Sequence, residues 1–136
     1  AIVKAMKAAV NHTTELNHAL SEFNADLCQF LTGFHGIKLN SPQNSAPQIL
    51  NVGLPGVKGE VLVNAFSKHS IMLSTTSACS SKKASLNEVL LAMNIPRKQI
   101  EGSIRISMGA NTTQEDIQIF KDNFYKVYEE VRELLV

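Results

Sequence analysis

Apolar residues recur at intervals of three and four near both ends of the chain, which places them along one face of a helix. Gly33 and Gly36 follow the first run, and glycine commonly ends helices. We therefore predict one long helix over the first thirty residues and another close to the C-terminus. The two runs are Leu16, Leu20, Phe23, Leu27 and Phe30, then Ile117, Phe120, Phe124, Val127, Val131 and Leu134.

Shorter apolar segments bounded by turn residues lie between these two helices. Residues 103–107 alternate strictly between polar and apolar side chains, as a half-buried strand does. Residues 59–68 fit a helix with one apolar side, whereas residues 74–83 have almost nothing to bury and predict an exposed loop. We predict strands over 37–39, 48–52, 70–74 and 103–107.

Two pairs of residues have the spacing of a capping box, in which side chains satisfy the free N–H groups at a helix start. Ser85 with Glu88 predicts a helix that ends at Pro96, and Thr112 with Glu115 predicts the start of the final helix. The resulting order, α-β-β-α-β-α-β-α, favours an α+β fold. We expect a small, mainly antiparallel sheet covered by helices on one face, with residues 1–136 forming a single domain.

Composition and charge exclude several classes of protein. With 136 residues, 44% of them apolar, the chain is long enough for one domain with its own core. A net charge of +1 is unlike that of a general nucleic-acid binder. Because no apolar run approaches the ~20 residues of a membrane span and no signal peptide is evident, we expect a cytoplasmic protein. The chain begins at Ala1, inside a helical pattern and without methionine, so we expect it to be part of a longer protein.

The two cysteines, Cys28 and Cys79, are too few for a disulfide scaffold, and neither they nor the histidines have the spacing of metal ligands. Cys28 follows Leu27 in the first predicted helix, and we expect it to pack against the core. Cys79 has only small or polar neighbours, and Lys82 and Lys83 follow it, which favours a thiolate. Two interpretations of Cys79 remain open: a small buried residue, or a reactive, nucleophilic thiol.

Arg105 lies between Ile104 and Ile106, so its side chain points to the opposite face of the predicted strand. It is either an ordinary solvated arginine or a guanidinium fork, fixed on a rigid strand, that holds a carboxylate through two hydrogen bonds.

Three stretches carry a resemblance to a known family. Residues 46–52 read Ala-Pro-Gln-Ile-Leu-Asn-Val, residues 77–80 read Ser-Ala-Cys-Ser, and residues 102–109 read Gly-Ser-Ile-Arg-Ile-Ser-Met-Gly, with Thr-Thr-Gln-Glu-Asp at 112–116. In this order and spacing they resemble the C-terminal small domain of NifS/IscS-type cysteine desulfurases. These are pyridoxal-phosphate enzymes of the class V aminotransferase group, and the resemblance covers nearly the whole chain.

The resemblance implies an aminotransferase small-domain fold and the function of a cysteine desulfurase. Cys79 would be the catalytic nucleophile, taking sulfur from L-cysteine as a persulfide, releasing alanine and passing the sulfur to an acceptor protein. Arg105 would hold the substrate carboxylate. The acceptor would be an iron–sulfur scaffold or a sulfurtransferase of a tRNA or thiamin pathway. The parent enzyme would be a homodimer with no nucleic-acid or membrane partner.

The resemblance also places pyridoxal phosphate outside this chain. The family's cofactor lysine follows a histidine in the large domain, whereas Lys68-His69 has the reverse order. We therefore expect a fragment that lacks the large domain, binds no cofactor and is inactive alone. Thr76 stands where the family has glycine and Ala110 where an arginine often stands, which favours a dedicated acceptor. The alternatives are a non-catalytic sulfur-carrier or interaction domain and a selenocysteine lyase.

Overall fold

The computed structural model describes residues 2–42, 46–75 and 83–135, with side chains described from residue 14 in the first helix and from residue 88 in the third. The helices are α1 (Ile2–Thr32), α2 (Gly59–Ser67), α3 (Lys83–Ala92), α4 (Arg97–Glu101) and α5 (Gln114–Val131). The strands are β1 (Lys38–Leu39), β2 (Ile49–Gly53), β3 (Ser74–Thr75) and β4 (Ser103–Ser107). A short 3₁₀ turn, Arg132–Leu134, follows α5.

The four strands form one antiparallel sheet in the order β1-β2-β4-β3. In this register Asn51 of β2 lies opposite Arg105 of β4, and Ser74 of β3 lies opposite Arg105 on the other side. The predicted antiparallel sheet is therefore confirmed, and β4 runs through its interior with a neighbour on each edge.

One face of the sheet forms the core. Leu50, Val52, Ile104 and Ile106 alternate with polar residues and are buried on this face, because successive side chains of a strand point to opposite sides. They pack in one cluster with the apolar stripes of α1, α2 and α5. The second face carries Asn51 and Arg105, along with Gly53, which α4 covers.

An aromatic cluster joins the three helices over the core. The Phe124 ring lies 5.8 Å from that of Phe30, 5.1 Å from that of Phe34 and 5.8 Å from that of Phe66, centroid to centroid. At the edge of this cluster the Tyr128 hydroxyl donates to the carbonyl oxygen of His35, at 2.8 Å. The cluster and this hydrogen bond dock α5 against the end of α1.

A close backbone contact joins the start of β4 to the turn before α2. The Leu54 N–H donates to the Gly102 carbonyl oxygen at 2.8 Å. A Cβ atom at Gly102 would lie 2.6 Å from the Val57 carbonyl oxygen, too close for any side chain. Glycine is therefore required at position 102 for the two backbones to approach.

The third strand begins later than the sequence predicts. The sequence predicts a strand over 70–74, but within the described stretch 70–75 pairing with β4 is confined to Ser74 and Thr75. The preceding residues close the end of α2: the Ile71 N–H donates to the Phe66 carbonyl oxygen at 3.1 Å, and Ser70 has a φ of 62°. Met72 is 82% exposed as a result, because the turn uses up the residues that would have extended the strand.

Three further expectations about the helices are wrong. The helix predicted to run to Pro96 ends earlier, at Ala92, and a second helix, α4, which was not predicted, begins just after Pro96. The capping box of α5 is formed by Thr113 and Asp116, one residue later than predicted. Leu134 is 58% exposed, because α5 ends before it.

Helix α3 begins at Lys83, so Ser85 lies inside that helix rather than at its cap. None of the helices in the described part of the chain is both long enough and apolar enough to cross a membrane.

Candidate functional site

Arg105 lies at the middle of β4 on the second face of the sheet. The residue is half-buried, and its Nε atom is buried without a hydrogen-bond partner among the described residues. This nitrogen is therefore shielded from solvent. A guanidinium group in this position has hydrogen-bonding capacity that a carboxylate from outside the chain can satisfy.

Asn51 and Arg105 form a close cross-strand pair. The carbonyl oxygen of Asn51 accepts from the Asn40 N–H at 2.9 Å, and the Asn51 N–H donates to the Ser41 hydroxyl at 2.7 Å. Both backbone groups of Asn51 therefore face β1 rather than β4. Asn51 and Arg105 are thus a non-hydrogen-bonded pair, the type in which opposing α-carbons lie about 4.5 Å apart and side chains are closest.

A buried set of polar side chains lies beside this pair, where α4 covers the second face. The Asn40 amide nitrogen donates to Asn51 Oδ1 and to the Ser103 hydroxyl, each at 2.7 Å. Gln99 Nε2 donates to Asn40 Oδ1 at 2.5 Å, and the Ser103 hydroxyl donates to the Gln99 carbonyl oxygen at 2.6 Å. We call Asn40, Asn51, Gln99 and Ser103 the amide network.

The amide network was not predicted from the sequence. The one available signal was strand alternation, which puts Asn51 on the same face of β2 as Ile49 and Gly53 and away from the core. Helix α4, which carries Gln99, was itself not predicted, so its partnership with Asn40 had no signal in the sequence.

The predicted nucleophile Cys79 lies outside the described residues.

Cys28 is half-buried and packs against the core, as predicted. Its thiol donates to Asn24 Oδ1 at 3.4 Å, and burial raises the pKa of the Cys28 thiol above its ordinary value. It also lines an open cavity of about 460 Å³ beside Leu50, which belongs to the core face of the sheet. Cys28 therefore lies on the side of the sheet away from Arg105.

No group of three or more potential metal ligands occurs among the described residues. Of the histidines, His18 is exposed and pairs with Glu22 of its own helix at 3.1 Å.

The chain matches the model of the "Aminotransferase class-V" family over residues 2–120, and it belongs to that family.

Its relatives within the family are named as cysteine desulfurases. The chain is 31% identical to cysteine desulfurase IscS of Clostridium botulinum over 135 residues, covering 96% of this chain and 34% of the relative. It is 27% identical to cysteine desulfurase NifS of Azotobacter vinelandii, covering 84% of this chain and 28% of the relative. The chain thus spans about a third of the length of the curated relatives it matches.

Solved structures show the same fold. One NifS-like protein superposes with a TM-score of 0.74 at 27% identity, covering 96% of this chain and 32% of that one. A NifS-like protein from Rickettsia africae has a TM-score of 0.73 at 21% identity, covering 88% of this chain and 31% of that one. The predicted fold class is confirmed.

The family's pyridoxal phosphate requires a lysine that is desolvated and free to form a Schiff base. The described lysines do not fit this requirement. Lys121 is half-buried, but it holds the carboxylate of Asp26 at 2.7 Å. The others with described side chains are exposed: Lys38, Lys58, Lys68, Lys98 and Lys126.

Proposed function

We propose that this chain is the C-terminal small domain of a pyridoxal-phosphate-dependent cysteine desulfurase. In this proposal Arg105 binds the carboxylate of L-cysteine and Cys79 accepts its sulfur. The observation that carries the proposal is the half-buried Arg105, unpartnered at Nε, on the sheet face opposite the core helices α1, α2 and α5. The names of the relatives and the share of their length that this chain spans support it.

The role of Arg105 in this proposal is to orient the substrate through its carboxylate. A guanidinium fork on an interior strand is held by pairing on both sides, so a carboxylate bound to it has a fixed position. Fixing the carboxylate of L-cysteine also restricts where its thiol lies, and placing reactants in this way lowers the entropy cost of their reaction.

Cys79 contributes the sulfur acceptor. Its thiolate attacks the sulfur of bound L-cysteine, forming an S–S bond as the C–S bond of the substrate breaks. The electron pair of the broken bond stays on the substrate carbon, which takes up a proton and leaves as alanine. Pyridoxal phosphate, which the large domain of the parent would hold, would supply the electron sink for the substrate. The persulfide on Cys79 then passes to an acceptor protein.

The finer parts of the proposal concern the parent enzyme. It acts as a homodimer in the cytoplasm, and its acceptor is an iron–sulfur scaffold or a sulfurtransferase. In this proposal residues 1–136 all belong to the small domain.

The two cysteines provide a matched test in the full-length parent. Cys79→Ser should abolish both persulfide formation and alanine release from L-cysteine, because serine does not accept the sulfur. Cys28→Ser, on the other side of the sheet, should leave both within about twofold of the unmodified enzyme. Persulfide is measured by the mass increase of one sulfur, and alanine by amino-acid analysis.

Full activity of the Cys79→Ser enzyme would remove Cys79 from the mechanism. The 136-residue chain, mixed with pyridoxal phosphate and L-cysteine, should release no alanine. Turnover by this chain alone would contradict its assignment as a small domain.

A further inference from the structure

The direction of every hydrogen bond in the amide network is fixed by one backbone carbonyl. The carbonyl oxygen of Gln99 can only accept, so the Ser103 hydroxyl, 2.6 Å away, donates its one proton there. Ser103 must then accept from Asn40, which makes the Asn40 atom at 2.7 Å the amide nitrogen. The other end of Asn40 is its oxygen, which accepts from Gln99 Nε2.

This order determines which end of Asn51 faces outward. The second proton of the Asn40 amide nitrogen is donated to Asn51 at 2.7 Å, so the accepting atom is Asn51 Oδ1. The amide nitrogen of Asn51 is therefore directed away from the network, and it has no hydrogen-bond partner among the described residues. It presents two N–H donors on the face that carries Arg105.

The surroundings of these donors favour an anion. Asn51 and Arg105 are a close cross-strand pair, and Ser74 lies opposite Arg105 on the next strand. Among the described residues, no carboxylate pairs with Arg105. The two side chains together offer N–H groups from two directions and no negative charge, which matches the several lone pairs of a single carboxylate.

We infer that Asn51 is a second substrate-binding residue, which donates a hydrogen bond to the same carboxylate that Arg105 holds. Asn40, Gln99 and Ser103 are positioning residues, because their hydrogen bonds keep the Asn51 amide nitrogen outward. This inference rests on the proposed function, since it takes the ligand of Arg105 to be the carboxylate of the amino-acid substrate.

The first test removes the donor in the full-length parent. Asn51→Ala should raise KM for L-cysteine about tenfold and leave kcat within about threefold, because a hydrogen bond to a charged group is lost. The inhibition constant of L-alanine, which has the carboxylate, should rise about tenfold as well. That of cysteamine, which lacks the carboxylate, should not change. Ser107→Ala, an exposed position on the same face of β4, is the control and should change none of these values.

The second test reverses the network from a distance. Gln99→Glu replaces the Nε2 donor by an acceptor, so Asn40 turns its own nitrogen toward the new carboxylate and presents its oxygen to Asn51 and Ser103. The Ser103 hydroxyl then turns its proton from the carbonyl oxygen of residue 99 to Asn40 Oδ1. Asn51 then turns its nitrogen inward and its oxygen outward, toward the substrate carboxylate. We expect the L-alanine inhibition constant to rise about tenfold although Asn51 is unchanged. Lys98→Gln is the control: it lowers the net charge of α4 by the same one unit and lies outside the network.

The outcomes separate the inference from the proposed function. Arg105→Gln should raise KM for L-cysteine, and if it does not, the proposed role of Arg105 fails. If Arg105→Gln raises KM but Asn51→Ala does not, the inference alone is overturned. Equal rises in the L-alanine and cysteamine constants for Asn51→Ala would show a general structural defect and would also overturn it. Thermal unfolding of each variant verifies that it is folded.

Discussion

At the scale of single residues, Arg105 and Cys28 have different surroundings because they lie on opposite faces of the sheet. Arg105 is on the sheet face opposite the core helices α1, α2 and α5. Cys28 packs against the core on the other face, and desolvation raises the pKa of its thiol. The sequence was sufficient to predict that Cys28 packs, because it falls beside the apolar stripe of α1. It left two interpretations of Arg105 open, because alternation along a strand gives the face but not what covers it.

The raised pKa of Cys28 predicts slow alkylation. With Cys79 replaced by serine to leave one thiol, iodoacetamide should modify Cys28 of the folded chain more slowly than it modifies the unfolded chain at the same pH, because less thiolate is present. Mass spectrometry against time measures both rates, and equal rates would contradict the burial of this thiol.

The same shift has a consequence for stability. The folded state binds the Cys28 thiol proton more tightly than the unfolded state does. The resulting contribution to the free energy of unfolding is fully present below the pKa of the unfolded thiol, and it is lost as the pH rises through the raised pKa of the folded state. The effect belongs to alkaline conditions and leaves stability at neutral pH unchanged.

At the scale of elements, the periodicity of apolar residues predicts the helices and strands of this chain better than the spacing of capping-box residues does. The alternation of 103–107 identified β4, and the three-and-four spacing identified α1 and α5. The start of α5 was misplaced because Thr112 and Thr113 are both followed three residues later by an acid, so two capping boxes have equal spacing. The structure selects Thr113, whose extended backbone, with φ −115° and ψ 166°, is that of a helix cap.

Two glycines provide a test of the contact between β4 and the turn before α2. Gly102→Ala should lower the free energy of unfolding by about 3 kcal/mol, because the added Cβ clashes with backbone atoms that have no room to move. Gly109→Ala is the matched control at the other end of β4, where a Cβ would have nothing within 4 Å, and it should have almost no effect. Urea unfolding of the chain measures both, and equal effects would exclude the close approach.

At the scale of the whole molecule, the fold was predictable and the amide network was not. The core needs only the apolar periodicity of a few long segments, all of which the sequence displays. The network joins Asn40 to Asn51, 11 residues away, and to Ser103, 63 residues away. No local pattern links such distant residues, because their contact depends on the order of the strands and on where α4 is placed.

The aromatic cluster predicts where the stability of the chain is concentrated. Phe124→Ala should lower the free energy of unfolding by about 4 kcal/mol, because it removes a buried ring of α5 that contacts Phe30 of α1 and Phe66 of α2. Ile119→Ala, on the same helix but 45% exposed, should change it by about 0.5 kcal/mol or less. Urea unfolding followed by circular dichroism measures the two, and a small loss for Phe124→Ala would contradict its central position.

The hydrogen bond from Tyr128 to His35 has a consequence for the intrinsic fluorescence of this protein. The chain has two tyrosines, both on α5, and no tryptophan. Tyr128 is half-buried at the junction with α1, whereas Tyr125 is 56% exposed. The intrinsic tyrosine fluorescence of the isolated chain therefore reports on the junction between α1 and α5. Ligand binding beside Arg105, on the other face of the sheet, should leave this fluorescence unchanged unless it loosens that junction.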